Sequence, residues 1–391
     1  MKKIHLRTMV IVLILAAILG AAAFAFFFFR QNLNLTAFTS DAAIADVNLS
    51  PGFEVIVFAQ NLEGPRFISF GPNGSLFVAE RGAGRIIRLT DRDRDGIADS
   101  QQVFEADMDR PHSLAYHDGA WYIGVPTGVV RLNDTDNDGQ AENSEPIVND
   151  IPGSGQHTTR TVEFLPDGRM VLSVGSSCNS CVEEDLRRAG ILVYENEMGE
   201  GGEVFASGMR NAVGLAIHPE TGDLWATNNA RDLMGDELPP DTLHQVVEGS
   251  DYGWPQCHAG EIPDPDLGGP EACRGVPQPA LEIQAHSAPL GLVFYDGNTF
   301  PDKYKGGLFI AYHGSWNRTI PTGYKVVFVP YHDGQPVGEI EDFATGWLNK
   351  ETFEVAGRPV GLAVGPDGAL YVSDDKAGVI YRIQYEQSIS N

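Results

Sequence analysis

The feature that most constrains this chain is a unit that returns six times: a short apolar strand, a turn rich in Gly, Pro and Asp, and a second apolar strand. The turn and second strand read GPNGSLFVAE (71–80), HDGAWYIGV (117–125), LPDGRMVLSVG (165–175), HPETGDLWATNN (218–229), YKGGLFIAYHG (304–314) and GPDGALYVSDD (365–375). The strand before each turn reads FISF (67–70), SLAY (113–116), TVEF (161–164), VGLAI (213–217), LGLVF (290–294) and VGLAV (360–364). Outer strands follow in several units, as in GRIIRL (84–89), GVVRL (128–132), AGILVY (189–194) and GVIYRI (378–383). A strand unit repeated mostly every 45–55 residues, with no crossover helix, predicts an all-β fold, a six-bladed β-propeller. Wider intervals in the fourth and fifth units predict long insertions there. The stretch GFEVIVFA (52–59) has no partner in its own unit. It is expected to pair with the last unit, closing the ring and leaving no open edge.

Composition agrees. The 44 Gly and 24 Pro suit many short strands joined by tight turns. A formal net charge of −26 argues against nucleic acid or anionic lipid as partners.

Residues 1–30 are a different material. Lys2, Lys3 and Arg7 precede an unbroken apolar run from Met9 to Phe29, closed by Arg30; its 21 residues are enough to span a bilayer as a helix. A cleavable signal peptide is the rival reading, with Ala21, Ala22, Ala23 and Ala25 offering a cleavage site. The length of the run and the four phenylalanines Phe26 to Phe29 favour an uncleaved signal-anchor, one N-terminal transmembrane helix. The greater positive charge before it leaves the N-terminus cytoplasmic and exports the body. Residues 31–50 then form a polar tether, 51–385 the propeller and 386–391 a C-terminal tail. In an oxidising compartment the cysteines are expected to pair locally, Cys178 with Cys181 and Cys257 with Cys273. No second CxxC or spaced His pair completes a zinc site around Cys178 and Cys181, and no helix pattern follows to make them a redox motif.

The repeat also sorts the polar residues. Arg66, Arg110 with His112, His157 with Arg160, Arg210 with Asn211, Ser287 with His286, and Arg358 stand where innermost strands begin. In a propeller these ends converge around the axis, where a ring of Arg, His and Asn suits an anionic planar ligand; the alternative is that some only cap turns. The hairpin of 213–217 and 223–227 delivers a further polar loop, Asn228 to Asp232.

Two loops carry spaced carboxylates: Asp91, Asp93, Asp95 and Asp99 around Gly96, and Asp134, Asp136, Asp138, Glu142 and Glu145 around Gly139. The second matches D-x-D-x-D-G-x5-E, which sets oxygens around a hard cation such as Ca²⁺; the first has Gln102 at the last position. Solvated Asp-rich turns are the other reading.

Five motifs together, LFVAERGAGRIIRL (76–89), His157 ahead of LPDG, SGMRNAVGLA (207–216), DYGWP (251–255) and GRPVGLAVGPDGALYVSDD (357–375), carry a resemblance. The body resembles the soluble quinoprotein glucose/sorbosone dehydrogenases, six-bladed propellers that use pyrroloquinoline quinone (PQQ) and calcium. GSSCNSC, NNARD and HGSWNR (313–318) look more like the L-sorbosone dehydrogenase branch. The resemblance implies that His157 is the general base and that Arg210 and Asn211 bind the quinone, Arg210 stabilising its reduced form. It makes Arg358 and Arg318 further cofactor-binding cations, alongside His112 from the ring, and it sets Asn229, Ala230 and Arg231 as backbone ligands of the cofactor's calcium. Two departures stand out: Val360 replaces a second cation near Arg358, and Ser176 stands where glucose-specific members place an aspartate.

The implied activity is oxidation of an aldose or aldosone sugar at C1. Electrons then pass to an external acceptor, a quinone or cytochrome, since the chain has no CxxCH haem motif. A calcium-dependent lactonase on the same architecture is an alternative, though it calls for carboxylates around a central metal. A non-catalytic propeller used as a binding platform is another.

Overall fold

The computed structural model describes residues 47–386 apart from Asn137. The apolar run from Met9 to Phe29, the tether to residue 46 and the tail after 386 lie outside the described residues. Among the described residues, no helix is long and apolar enough to cross a membrane.

Six antiparallel sheets follow one another in chain order. Their innermost strands are Pro65–Phe70, Ser113–His117, Val162–Phe164, Ala212–Ile217, Pro289–Phe294 and Pro359–Val364. Each touches the next, and the last touches the first, so the sheets close into a six-bladed propeller. Closure uses both ends of the chain. The early strand Phe53–Ala59 pairs with Val379–Tyr385 and becomes the outer strand of the sixth blade. Its Phe53 ring meets Phe300, Tyr304 and Phe343 edge-on at 4.7–5.3 Å, so the seam is packed as well as hydrogen-bonded.

The burial pattern explains why the repeat was visible. Second strands such as Leu76–Glu80, Met170–Val174 and Leu308–Tyr312 are buried along their whole length and read as apolar runs. Outer strands such as Ser100–Glu105 and Asn143–Val148 are largely solvated and lose that signal. Between first and second strands, Gly74, Gly119, Gly168, Gly222, Gly306 and Gly368 all have φ between 71° and 88°. Glycine recurs at this turn because the left-handed conformation disfavours a Cβ.

Near the axis the inner strands touch through hydroxyls. Ser113 Oγ donates to Arg160 O at 2.9 Å and Thr227 Oγ1 to Leu290 O at 2.8 Å, each reaching into the next blade. Val213, Leu290, Val360 and Phe67 pack together there as an apolar plug. Val360, which stands where the resemblance expects a second cation, is a buried member of that plug. Below it opens a cavity of about 400 Å³ with Phe67 in its wall; Leu290 lines a second cavity above it.

Candidate active site

Strand pairing decides where the chemistry collects. Pro65 faces Glu80, Ala212 faces Asn228 and Pro359 faces Asp374. The start of each first strand and the end of each second strand therefore share one end of the propeller. There lies the upper cavity, about 200 Å³. The third blade supplies His157; the fourth supplies Arg210, Asn211, Asn229, Ala230, Asp232 and Asp241; the fifth supplies His286, Ala288, Leu290, Trp316 and Asn317.

His157 is held through one ring nitrogen. Its Nδ1 lies 2.8 Å from Ser176 Oγ and 3.1 Å from Ser176 O. Ser176 Oγ itself donates to Cys178 O at 2.6 Å, so both neighbours of Nδ1 act as acceptors. This assigns the proton to Nδ1 and leaves Nε2 as a base. Burial first, and then the charge of Arg210, pull the His157 pKa down to about 3, so the ring is neutral across the physiological range.

Arg210 is 3% exposed, and its guanidinium is fully engaged. Nε donates to Asn179 O at 3.0 Å, Nη1 to Asn229 O at 3.3 Å and Ala230 O at 2.7 Å, and Nη2 to Asn179 Oδ1 at 2.9 Å and Asp232 Oδ2 at 2.7 Å. Asn179 sits in the short loop closed by the Cys178–Cys181 disulfide; the bridge thus braces a side chain that holds Arg210. The second disulfide joins Cys257 to Cys273. Asp232 Oδ1 accepts from Asn317 Nδ2 at 2.9 Å, tying the fourth blade to the fifth. Buried Asp241 accepts from Ala230 N and Ala288 N, both at 2.9 Å, and burial pushes its pKa up to about 6.

The other residues singled out in the sequence fall elsewhere. Arg318 donates to Asp236 O, Ala285 O and Glu237, away from the cavity lining. The Arg231 side chain pairs with Asp264 and Asp266 outside the cavity lining, whereas the expectation concerned its backbone carbonyl. Arg358 donates to His313 O at 3.0 Å and Gly314 O at 2.7 Å. His112 is wholly buried, accepts from Arg66 Nε at 3.3 Å and leaves Nε2 without a partner. His286, placed in the axial ring, and Asp232, placed in the polar loop, both line the site, while Asp241, Trp316 and Asn317 line it without having been assigned to it. The HGSWNR motif that holds Trp316 and Asn317 was the available signal.

In the first acidic loop the carboxylates of Asp91, Asp93 and Asp95 converge within 4.8 Å; Asp99 instead accepts from Arg92 N at 2.6 Å. In the second, Asp134, Asp136, Asp138 and Glu142 converge, while Glu145 lies outside the cluster on Asn143–Val148. An EF-hand runs from its loop into a helix; here a strand begins at Asn143 and carries Glu145 away.

A neutral imidazole and a buried guanidinium line one cavity at the loop end of a six-bladed propeller, and that fold and site define a class of propeller enzyme. The chain belongs to the TrAA12-like family, the PQQ-dependent pyranose and sugar dehydrogenases, whose profile it matches over residues 47–264 and 269–386. It is 27% identical to a PQQ-dependent pyranose dehydrogenase of Coprinopsis cinerea across 86% of this chain, and spans 54% of that enzyme's length. Two solved structures share the fold. A Trichoderma reesei carbohydrate-active enzyme of family AA12 superposes with a TM-score of 0.75 and 24% identity, covering 87% of this chain and 98% of the other. The holo PQQ domain of the Coprinopsis cinerea pyranose dehydrogenase gives 0.74 and 24%, covering 86% and 97%.

The residues present fit the quinone and its cation. Trp316, 70% exposed at the mouth, offers an aromatic face, and Arg210 a buried positive charge. Asn229 Oδ1 and Asn317 Oδ1 are buried acceptors without partners. With Asp232 they make an oxygen-rich wall suited to a hard cation.

Proposed function

We propose that the chain is a PQQ- and calcium-dependent dehydrogenase that oxidises an aldose or aldosone sugar, sorbosone-like, at C1. The observation that carries this reading is the fixed tautomer of His157, a cavity-lining ring whose Nε2 is left as the basic nitrogen close enough to Arg210 to feel its charge. Bound PQQ supplies the two-electron acceptor for the hydride that leaves C1. His157 Nε2 takes the proton of the C1 hydroxyl as the C1–O bond becomes a carbonyl, and the product is a lactone or acid. Asn211 would hold the quinone, and Arg210, with its N–H groups engaged within the protein, would place positive charge where negative charge develops. Asp232 and the Cys178–Cys181 loop keep Arg210 in place. The unpartnered Oδ1 atoms of Asn229 and Asn317 would hold the cation, beside the main-chain oxygens of Asn229 and Ala230 that accept from Arg210 here.

The two disulfides support an exported body, with Met9 to Phe29 as its anchor and an external quinone or cytochrome as electron acceptor. The acidic loops at Asp91 and Asp134 are proposed to bind calcium for stability.

The test uses full-length protein stripped with chelator, then given PQQ and Ca²⁺, with dye reduction followed over aldoses and sorbosone. Activity that needs both additions and is lost in His157→Ala is the expected result. A folded protein that neither binds PQQ nor reduces dye overturns the reading.

A further inference from the structure

We propose that Arg81 forms a carboxylate-binding subsite at the rim of the site, next to the loop that carries the base. The inference rests on the dehydrogenase reading for its ligands: the carboxylate belongs either to the quinone or to an acidic sugar.

Arg81 follows the second strand of the first blade, at the end where the cavity opens. Its Nη2 donates to Thr158 Oγ1 at 3.2 Å, one residue beyond His157, and its Nη1 to Arg110 O at 3.0 Å. No carboxylate among the described residues is hydrogen-bonded to it or paired with it. Its partners are a hydroxyl and a carbonyl in a chain with 53 Asp and Glu against 27 Lys and Arg. Its neighbours are paired: Arg66 with Asp375 at 2.5 Å, and Arg110 with Asp109 at 2.8 Å. Asp109 gives both oxygens to Arg110. Three adjoining guanidinium groups therefore share two carboxylates, and the unmatched charge is that of Arg81.

The surroundings add to the imbalance. Arg160 is wholly buried, Arg188 is 7% exposed, and both hold only backbone carbonyls, including a shared one at Pro152. The His157 loop thus sits in a positive region of a strongly negative protein. Such a region concentrates anions locally against the overall field. Burial, then the like charges of Arg66 and Arg110, strain half-buried Arg81 and lower its pKa to about 10, with Asp109 opposing them, and it stays charged at neutral pH. A carboxylate in the guanidinium fork removes that strain and adds paired, charge-assisted hydrogen bonds.

The experiment compares wild type, Arg81→Gln and Arg81→Lys in the full chain. PQQ affinity is read from quenching of protein fluorescence, and galacturonate and galactose binding from calorimetry on chelator-stripped protein. KM for both sugars follows after reconstitution. Arg81→Gln is expected to weaken one carboxylate ligand by about tenfold or more while galactose changes less than about twofold, with partial recovery in Arg81→Lys. A weakened PQQ identifies the quinone as the source; a weakened galacturonate identifies the substrate. Should Arg81→Gln not fold, Arg81→Lys and Thr158→Val carry the same comparison. A folded Arg81→Gln that binds PQQ and galacturonate like wild type overturns the subsite and leaves the dehydrogenase reading intact. Galacturonate binding that depends on Arg81 in a chain unable to bind PQQ sustains the subsite while the dehydrogenase reading falls.

Discussion

Asn211 and His157 meet in space that only the absence of a side chain at Gly175 leaves open. A Cβ at Gly175 would lie 2.5 Å from Asn211 Oδ1 and 2.5 Å from His157 Cβ. His157 and Asn211 are thus packed against the end of one strand, and each fixes how close the other can come.

Gly175→Ala is therefore expected to act on the site before it acts on the fold. Displacing His157 and Asn211 by a few tenths of an ångström should lower kcat by about tenfold to a hundredfold. Stability should fall by about 1–3 kcal/mol from local overpacking. Paired kinetics and denaturant melts check this, and an unchanged kcat refutes the packing argument.

Ser176 holds His157 Nδ1 through a neutral hydroxyl and a carbonyl. Ser176→Asp places a negative charge there, which favours the protonated ring and raises its pKa by about 1–3 units. The wild-type acid limb of kcat/KM, where His157 sets it, should lie well below pH 6, because burial and Arg210 hold that pKa near 3. In Ser176→Asp the limb should move to higher pH. A pH profile of both proteins tests it, and an identical limb argues that His157 is not the base.

Acid stability has a separate source in His244. Burial alone lowers its pKa to about 4, and among the described residues its only polar contact is Nε2 with Thr242 Oγ1 at 2.9 Å. Between the unfolded value of 6.5 and the folded one, the unfolded chain takes up a proton that the native state refuses. The stability present above pH 6.5 is therefore lost as pH falls toward 4. Each such proton steepens the loss by about 1.4 kcal/mol per pH unit. His244→Phe keeps the edge-on contact with Tyr252 and should flatten the slope by one proton, measured by denaturant melts from pH 7 to 4.

The Asp134 loop should respond to calcium. Four carboxylates within 4.8 Å repel one another unless a cation lies among them. Millimolar Ca²⁺ is expected to raise Tm by about 2–5 °C over chelator, and Asp136→Asn to remove most of that rise. A Tm indifferent to calcium in wild type counts against the loop as a site.

Much of this was legible in the chain. Blade order followed from second strands that are buried on both faces and so read as apolar runs, and from turn glycines held to positive φ. His157, Arg210 and Asn211 were legible because each sits at the start of an innermost strand, where the repeat itself locates the axis. Less legible were residues placed by the loops after second strands. Asp232 and Asn317 are 85 residues apart, and only the adjacency of the fourth and fifth blades brings them together. Motif membership also does not say which way a side chain turns: Asn317 faces the cavity while Arg318 turns to Glu237. Glu145 was misplaced for a related reason, since the pattern of a calcium loop says nothing of the strand that follows it.

The apolar plug of Phe67, Val213, Leu290 and Val360 has a kinetic meaning. The plug separates the cavity lined by His157 and Arg210 from the lower one lined by Phe67. On the proposed dehydrogenase reading, sugar and acceptor would compete for that upper cavity, so double-reciprocal plots at several acceptor concentrations should run parallel and excess sugar should slow turnover.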